Sequence, residues 1–237
     1  MFNLNIINFK IMKIGILLSG CGVYDGSEIQ EVVLTMLAIE EIGAEYICIG
    51  IDAKQHHVIN HLNGEEVREE RNMMAEAARI ARGKIVDIRS VQPVDIDALV
   101  IPGGFGSAKN LTKWAFDGPD GTILPEVKLL LVNLVNVGRP IVALCVSPIV
   151  LAKALEGSKI HAKMTMGTSI ESSPYDIGSF NEGLSKIGVE PVLKSVREIE
   201  IDVENRIITA PCYMMDATIL EVRQNIQQAI QAIKTFV

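Results

Sequence analysis

The stretch PIVALCVSPIVLAKAL, residues 140–155, decides the fold of this chain. Its apolar run from Ile141 to Leu144 predicts a strand buried on both faces. A helix is predicted to begin at Pro148, because proline is favoured in a first helical turn. Only about two residues remain for the turn, which places Cys145 at its apex. A strand that passes directly into a helix is the building unit of a parallel α/β sheet.

The same alternation continues on both sides of this stretch. Strands are predicted at residues 13–19, 45–51, 84–88, 97–101 and 140–145, and helices at residues 28–43, 72–82, 124–137, 148–155, 175–186 and 216–236. The polar side chains of residues 25–27 are expected to cap the first helix. A small antiparallel excursion is predicted at residues 55–70, and a hairpin or edge strands at residues 197–211. The fold class is therefore α/β, a three-layer sandwich with a mostly parallel sheet.

Composition narrows the class of protein. The 237 residues show no linker or composition shift, so we expect one domain at residues 12–237 after an N-terminal extension at residues 1–11. A net charge of −7 disfavours nucleic acid and anionic membranes as partners. No apolar run approaches the ~18 residues of a membrane span. Four cysteines without regular spacing predict no disulfide framework, and hence a reducing compartment such as the cytoplasm.

Ligands of open parallel sheets bind beyond the carboxyl ends of the strands, and three strand ends of this chain carry unusual residues. The first carries Cys145. The free N–H groups and the dipole of the helix that follows are expected to lower the pKa of this thiol and make it a reactive thiolate. The alternative is a buried structural cysteine, the commonest state of a free cysteine.

The second strand end is the glycine turn PGGFG, residues 102–106. Glycine is needed where a backbone bends left-handed or approaches a ligand closely. The amides of Gly104 and Val146 can form an oxyanion hole for an adduct on Cys145, with Gly103 beside them. The alternative is a plain tight turn, since the spacing fits neither a phosphate loop nor the dinucleotide fingerprint.

The third strand end supplies carboxylates. Glu28 and Glu31 are three residues apart at the start of the first helix, so they share one face of it. A carboxyl group beside a thiolate can move protons if burial raises its pKa. The alternative is that acidic residues in a first turn only complement the helix dipole.

Other candidates have weaker support. Cys21, Asn110 and Cys212 are candidate pocket residues, and Cys21 is also a candidate resolving thiol. His56, His57 and His61 have polar neighbours and no framing cysteine or acidic ligand, which favours a solvated hairpin. We therefore expect no metal and no cofactor. His161 is a candidate imidazole partner of Cys145.

Several long segments resemble the ElbB family. Its members are glyoxalase-like, are linked by name to isoprenoid biosynthesis, and belong to the PfpI/class I glutamine amidotransferase-like superfamily. The resemblance runs from about Met12 to the C-terminus. It is carried by the elbow at Cys145 and by the segments SGCGVYDGSEIQE (19–31), VINHLNGEEVREERN (58–72), ARIARGKI (78–85), IPGGFGSAKNL (101–111) and ITAPCYM (208–214).

The resemblance implies a flavodoxin-like sandwich, a homodimer, and a nucleophilic cysteine matching Cys145. It implies that a carboxylate of the first helix touches the sulfur; counting back from Gly43 gives this role to Glu31, with Glu28 as an adjacent possibility. It also implies that Gly103 and Gly104 supply oxyanion-binding amides. The histidines that complete catalytic triads elsewhere in the superfamily have no counterpart here: Val146 and Thr165 occupy two such positions, and the C-terminal region reads APCYMMDAT.

The expected chemistry therefore uses a cysteine–glutamate pair and excludes glutaminase activity. The leading interpretation is a cofactor-free glyoxalase that converts small dicarbonyls or aldehydes of the glyoxal type to hydroxy acids through a Cys145 adduct. The rival interpretation is a cysteine redox sensor or binding protein associated with isoprenoid metabolism, because a reactive thiol near a carboxylate suits both roles.

Overall fold

A computed structural model describes residues 11–237. Its strands are β1 (Lys13–Leu17), β2 (Glu45–Gly50), β3 (Ile85–Asp87), β4 (Ala98–Ile101), β5 (Ile141–Leu144), β6 (Lys163–Gly167), β7 (Glu190–Leu193), β8 (Glu200–Asp202) and β9 (Ile207–Ala210). Its α-helices are α1 (Ile29–Glu41), α2 (Met73–Ile80), α3 (Trp114–Asp117), α4 (Pro125–Asn136), α5 (Pro148–Leu155), α6 (Ile177–Lys186) and α7 (Ile219–Ala232). The N-terminal extension expected at residues 1–11 lies outside the described residues except for Ile11.

The main sheet has the strand order β3-β2-β1-β4-β5-β9-β8. All neighbouring strands are parallel except β8 and β9, which pair antiparallel as the predicted hairpin or edge strands. The chain runs from β1 outward to β3 and then returns to β4 on the other side of β1. This reversal places the carboxyl ends of β1 and β4 at a topological switch point, where ligands of open α/β sheets bind.

Helices cover both faces of the sheet. Helix α1 packs against α7 and α2, and α4 packs against α5. The right-handed crossovers β1-α1-β2 and β4-α4-β5 leave the switch point in opposite directions, so α1 and α4 lie on opposite faces. The three-layer, flavodoxin-like α/β/α sandwich predicted from the sequence is therefore confirmed.

Aliphatic side chains fill the space between the layers. Strands β4, β5 and β9 are fully buried along their length, which explains their continuous runs of Ile, Val, Leu and Ala. The excursion after β2 is confirmed by the antiparallel bridges Lys54–Asn72 and Ile59–Glu66. None of the helices within residues 11–237 is both long and apolar enough to cross a membrane.

Three local predictions were incomplete or wrong. Strands β6 and β7 form a separate two-stranded parallel sheet that the mixed pattern of residues 160–193 did not indicate. Residues Ser107–Leu111 form a π-helical turn after the glycine turn. The first helix is capped by Glu28, whose side chain accepts a hydrogen bond from the Glu31 N–H, and not by residues 25–27. Ser27 Oγ instead accepts from the Ser19 N–H at 2.9 Å and ties the loop to the end of β1.

Candidate functional site

Cys145 lies directly after β5 in a left-handed backbone conformation, with φ of 57°. Non-glycine residues rarely adopt this conformation, and the strain persists only where surrounding structure imposes it. Two features of the surroundings impose the left-handed conformation here. The Cys145 N–H donates to the Ala210 carbonyl at 2.9 Å, and α5 begins only three residues after Cys145. The predicted strand–elbow–helix turn is confirmed, and the thiol is buried with 6% of the residue exposed.

Gly103 lets the neighbouring strand approach this thiol. A Cβ placed on Gly103 would lie 2.4 Å from Cys145 Cβ and 2.7 Å from Cys145 Sγ. It would also lie 2.4 Å from Glu31 Oε2. Since real Cβ atoms do not approach that closely, only glycine fits between the Cys145 thiol and the carboxyl group.

Glu31 is fully buried in the first turn of α1, on the same face as Val32, Thr35 and Ile39. Its Oε2 accepts the Gly103 N–H at 2.8 Å, and its Oε1 accepts the Tyr213 N–H at 3.4 Å. The carboxyl group also hydrogen-bonds to the Cys145 thiol. The structure therefore brings together the cysteine and the carboxylate that the sequence paired.

Burial sets the protonation of this pair. Loss of solvent, and secondarily the charge of Glu28, raise the pKa of Glu31 to about 8. Burial, and secondarily the Glu31 carboxylate, raise the pKa of the Cys145 thiol well above its ordinary value. The expected low-pKa thiolate is therefore wrong for the resting site, because desolvation outweighs the helix and amide dipoles.

The two expected oxyanion amides do face the sulfur. The backbone N–H groups of Val146 and Gly104 hydrogen-bond to Cys145 and act to lower its pKa, although they do not overcome burial. Gly104 has φ of +99°, a left-handed backbone conformation that its lack of a side chain allows. When a carbonyl carbon bonds to the sulfur, its oxygen lies close to the same two amides, which can then donate hydrogen bonds to it.

The PGG turn and α1 hold each other in register. The Glu28 N–H donates to the Gly103 carbonyl at 2.9 Å, while the Gly103 N–H donates to Glu31. Below the turn, Ser147 Oγ donates to the Pro102 carbonyl at 2.6 Å and contacts Ser107 Oγ at 2.8 Å. These buried bonds fix the strand ends of β4 and β5 relative to each other.

Glu28 has a different role from Glu31. Its Oε2 accepts the Glu31 N–H at 2.6 Å, which caps α1, and burial raises the pKa of its carboxyl group. Glu28 also lines the pocket above Cys145. It can therefore contact a bound molecule, whereas hydrogen bonds to Gly103 and Tyr213 hold Glu31 at the sulfur.

The pocket above the thiol is small and mostly apolar, enclosing about 320 Å³ with its open mouth included. Its walls are Val23, Glu28, Gly104, Phe105, Cys145, Val146, Tyr175, Phe180, Tyr213 and Met214. The sequence interpretation did not single out Tyr213 and Met214, although they follow β9 and strand ends mark ligand sites. Tyr175 and Phe180 come from the loop before α6 and from α6 itself, and no sequence signal pointed to them.

Several sequence candidates lie elsewhere. Cys21 is half-buried in the loop after β1 and is not among the pocket residues; its thiol has Glu76, Arg79 and Asp25 as charged neighbours. Asn110 is buried and structural, donating to the carbonyls of Ser19 and Asp25 at 2.9 and 2.8 Å. Neither residue lines the pocket as expected: Cys21 lies near charged side chains of α2, and Asn110 is hydrogen-bonded to the loop after β1.

Cys212 lies beneath the pocket and not on its wall. It is fully buried, with φ of 46°, and its thiol lies close to the backbone of Cys145. Its own N–H donates to Asn225 Oδ1 at 3.0 Å, which anchors the turn after β9 to α7. Cys212 thus supports the elbow from below.

The histidines are remote from the thiol. His161 is exposed, and its Nδ1 lies 3.2 Å from the Gly188 carbonyl. The His56 ring contacts His57 edge-on and Phe116 at a tilt, and His61 accepts the Tyr24 N–H at 3.2 Å. Within residues 11–237, no group of three or more His, Cys, Asp or Glu side chains is arranged to hold a metal ion.

No family model matches the chain, but individual proteins do. It is 34% identical over 223 residues to the human glutamine amidotransferase-like class 1 domain-containing protein 3, mitochondrial, covering 93% of this chain and 82% of that protein. The ES1 protein homolog, mitochondrial, of Rattus norvegicus is similar to the same extent.

Among solved structures, the fold matches an isoprenoid biosynthesis protein with an amidotransferase-like domain from Ehrlichia chaffeensis. The TM-score is 0.85 at 34% identity, over 95% of this chain and all of that one. Glyoxalase III from Candida albicans shares the fold at a TM-score of 0.60 and 16% identity, over 95% and 98% of the two chains. Identity of 34% over most of both sequences shows that this chain belongs to the ES1/ElbB family of class I glutamine amidotransferase-like proteins.

Proposed function

We propose that this protein is a cofactor-free glyoxalase that converts small glyoxal-type dicarbonyls to 2-hydroxy acids. The observation that carries the proposal is the buried Cys145–Glu31 pair, with the amides of Gly104 and Val146 at the sulfur. A nucleophile, a proton carrier and oxyanion donors thus meet at one atom. The likeness to glyoxalase III is one of fold, and it agrees with this assignment.

In the first step the sulfur bonds to the aldehyde carbon of the dicarbonyl. Ionised Glu31 takes the thiol proton, and the aldehyde oxygen becomes an oxyanion that the Gly104 and Val146 amides stabilise. Transfer of the proton from Glu31 to this oxygen gives a neutral hemithioacetal. The small apolar pocket excludes bulk water, which strengthens these hydrogen bonds.

In the second step Glu31 moves a proton between the two carbons. It removes the hydrogen from the hemithioacetal carbon, giving an enediolate, and then protonates the neighbouring carbon, while the hydroxyl proton moves from the oxygen of the first carbon to that of the second. The product is a thioester of a 2-hydroxy acid on Cys145. Water then hydrolyses the thioester, which releases the acid and restores the thiol, so the net reaction adds one water to the dicarbonyl.

The test is steady-state turnover of glyoxal and methylglyoxal by the wild type and by Cys145→Ala. We expect Cys145→Ala to abolish acid formation, while Cys21→Ala, which changes a half-buried thiol outside the pocket, retains wild-type kcat/KM. Undiminished turnover by Cys145→Ala would remove the covalent mechanism.

The raised pKa of the Cys145 thiol favours turnover over redox sensing. Peroxide reacts with thiolates, so a thiol kept protonated by burial reacts slowly until a substrate draws its proton to Glu31. Mild peroxide followed by intact-mass analysis separates the two functions. Stoichiometric sulfinate at Cys145 with negligible dicarbonyl turnover would favour the sensor.

We further propose a reducing location, as in the cytoplasm, and a homodimeric assembly. All four cysteines of the chain are free, which supports the first proposal. The homodimer is supported by an apolar stripe on α1 that consists of Ile29, Val33 and Leu37, each 43–49% exposed. Exposed apolar patches of this kind are typical of interfaces.

A further inference from the structure

A second, open chamber adjoins the pocket above Cys145. It encloses about 770 Å³ with its mouth included, and four residues line both spaces: Val23, Glu28, Tyr175 and Tyr213. The inner pocket holds the reacting thiol, and the outer chamber continues from it toward solvent. A molecule bonded to Cys145 and longer than a few atoms would therefore extend into the outer chamber.

The outer chamber is aromatic. Tyr24, Tyr175 and Tyr213 line it, which are three of the four tyrosines in the chain. Tyr24 is held against His61 at 4.9 Å between ring centroids, Tyr175 packs edge-on to Phe105 at 5.8 Å, and the Tyr213 hydroxyl donates to Gln30. The three phenol rings are thus fixed by neighbours before any ligand binds.

The charge of the chamber is negative. Glu28 and Asp216 line it, and among residues 11–237 no lysine or arginine lines either this chamber or the inner pocket. Lys109 is nearby, but its Nζ donates to the Tyr24 carbonyl at 2.8 Å and lies over the Phe105 ring. Aromatic faces and carboxylates both attract a cation, and both disfavour a phosphate or carboxylate group.

We propose that the outer chamber binds an organic cation, an ammonium or guanidinium group carried by the part of the substrate beyond the reacting carbonyl. This inference rests on the proposed function for the link to turnover, but the cation site itself does not. Tyrosine faces would contact the apolar carbons of the cation, while Glu28 and Asp216 would balance its charge. The specificity of the enzyme would then favour cationic over neutral dicarbonyls, and neutral over anionic ones.

Binding of tetramethylammonium to the wild-type protein, measured by isothermal titration calorimetry at pH 7.5, tests the site directly. We expect Tyr24→Ala and Asp216→Asn each to weaken binding about three- to thirtyfold, the range for a cation–aromatic or cation–carboxylate contact. Tyr46→Ala is the matched control, since Tyr46 is a comparably exposed tyrosine on β2 outside both chambers. The neutral isostere tert-butanol should bind more weakly than tetramethylammonium.

Equal affinity for the two probes would overturn the cation site, and so would unchanged binding in both Tyr24→Ala and Asp216→Asn. Loss of binding in Tyr46→Ala to the same extent would show that the probe binds elsewhere, which also overturns it. Two substitutions of different chemistry keep the test decisive if one of them impairs folding.

Turnover of para-substituted phenylglyoxals tests the link to catalysis. Trimethylammonium, tert-butyl and carboxylate substituents match in position but differ in charge. We expect kcat/KM to fall in that order and the preference to flatten in Asp216→Asn. If no phenylglyoxal is consumed, the proposed function fails, but tetramethylammonium binding still decides whether the cation site exists. If turnover is equal for all three phenylglyoxals, the chamber does not select substrates by charge.

Discussion

At the scale of single residues, the buried Cys145 thiol and Glu31 carboxyl group together carry very little net charge. Both groups have lost solvent, so at neutral pH the carboxyl group and the thiol are mainly protonated. In the proposed reaction, the active form is the one in which Glu31 is ionised and can accept the thiol proton as the carbon–sulfur bond forms. Reactivity therefore depends on a proton transfer that substrate binding completes.

The first residue-scale prediction concerns pH. The pKa of Glu31 is raised to about 8, so its ionised fraction grows with pH up to that value. We expect kcat/KM for methylglyoxal to rise about tenfold from pH 6 to 7 and about fivefold from pH 7 to 8, and to level off above about pH 9, after correction for the uncatalysed reaction. Glu31→Gln should lower kcat/KM by about 10²- to 10⁴-fold and abolish this rise. A wild-type profile that is flat from pH 6 would contradict the assignment.

The second residue-scale prediction concerns Gly103. A Cβ added at Gly103 would lie 2.4 Å from both Cys145 Cβ and Glu31 Oε2, so Gly103→Ala would push Cys145 and Glu31 apart. We expect a loss of about 1–3 kcal/mol in the free energy of unfolding, with loss of turnover. Gly178→Ala on α6 is the control, because beyond its chain neighbours and the helix backbone the nearest atom to a new Cβ is Asp176 Oδ1 at 3.3 Å. Urea unfolding of both variants measures the difference, and equal stability would contradict the crowding.

At the scale of elements, helix ends position the site. Helix α1 begins on the PGG turn through the Glu28 N–H bond to Gly103, which aims Glu31 at the sulfur. Helix α7 supports the opposite side: Asn225 accepts the Cys212 N–H and donates to the Glu198 carbonyl at 2.8 Å. The packing of α1 against α7 joins these two supports into one face of the sandwich.

The element-scale prediction concerns the start of α7. Thr218 and Glu221 form a capping box, in which each side chain bonds to the other residue's backbone N–H. Thr218→Ala removes one partner and is expected to lower the free energy of unfolding by about 0.5–2 kcal/mol. Gln224→Ala, at an exposed position of the same helix, should change it by less than about 0.5 kcal/mol. Thermal unfolding of the two variants provides the comparison; a larger loss in Gln224→Ala would contradict the capping role.

At the scale of the whole molecule, the sandwich buries Cys145 and Glu31 while leaving apolar side chains exposed along one face of α1. Ile29, Val33 and Leu37 recur every four residues along α1, so they form one continuous stripe. Exposed single apolar residues are common, but a stripe of three on one helix is typical of an assembly surface.

The whole-molecule prediction is that the protein sediments as a homodimer. Val33→Glu places a charge at the centre of the stripe and should shift the species toward monomer in sedimentation velocity at micromolar concentration. Leu62→Glu is the control, because Leu62 is 97% exposed in the excursion after β2, away from the stripe. A dimer that persists in Val33→Glu would place the contact on another surface, and a monomeric wild type would overturn the assembly.

Much of the fold was predictable because it follows local patterns. The strands β1, β2, β4, β5 and the helices α1, α4, α5 appeared within two residues or so of their expected ends, since apolar period and glycine or proline stops mark them directly. The pair β6 and β7 was missed because its strands are short and mixed in pattern, with Pro191 inside β7. Their pairing depends on contacts distant in sequence.

The candidate site likewise contains residues that could be predicted from the sequence and residues that could not. Cys145, the glycine turn and the two glutamates were identifiable, because a strand-to-helix turn of two residues and an open parallel sheet determine where such residues meet. The walls contributed by Tyr175, Phe180 and Tyr213 depended on how the loop before α6 and the turn after β9 fold over the strand ends.

The sequence by itself therefore determined which residues meet at the carboxyl edge of the sheet, and that Cys145 stands at a strained elbow. Only the tertiary structure decided the protonation state of that cysteine. Complete burial of Glu31 beside it, in a space that Gly103 alone can leave open, raises the pKa of both groups. Desolvation is a property of the assembled surroundings and not of local pattern, which is why a thiolate predicted from helix dipoles is a protonated thiol in the folded protein.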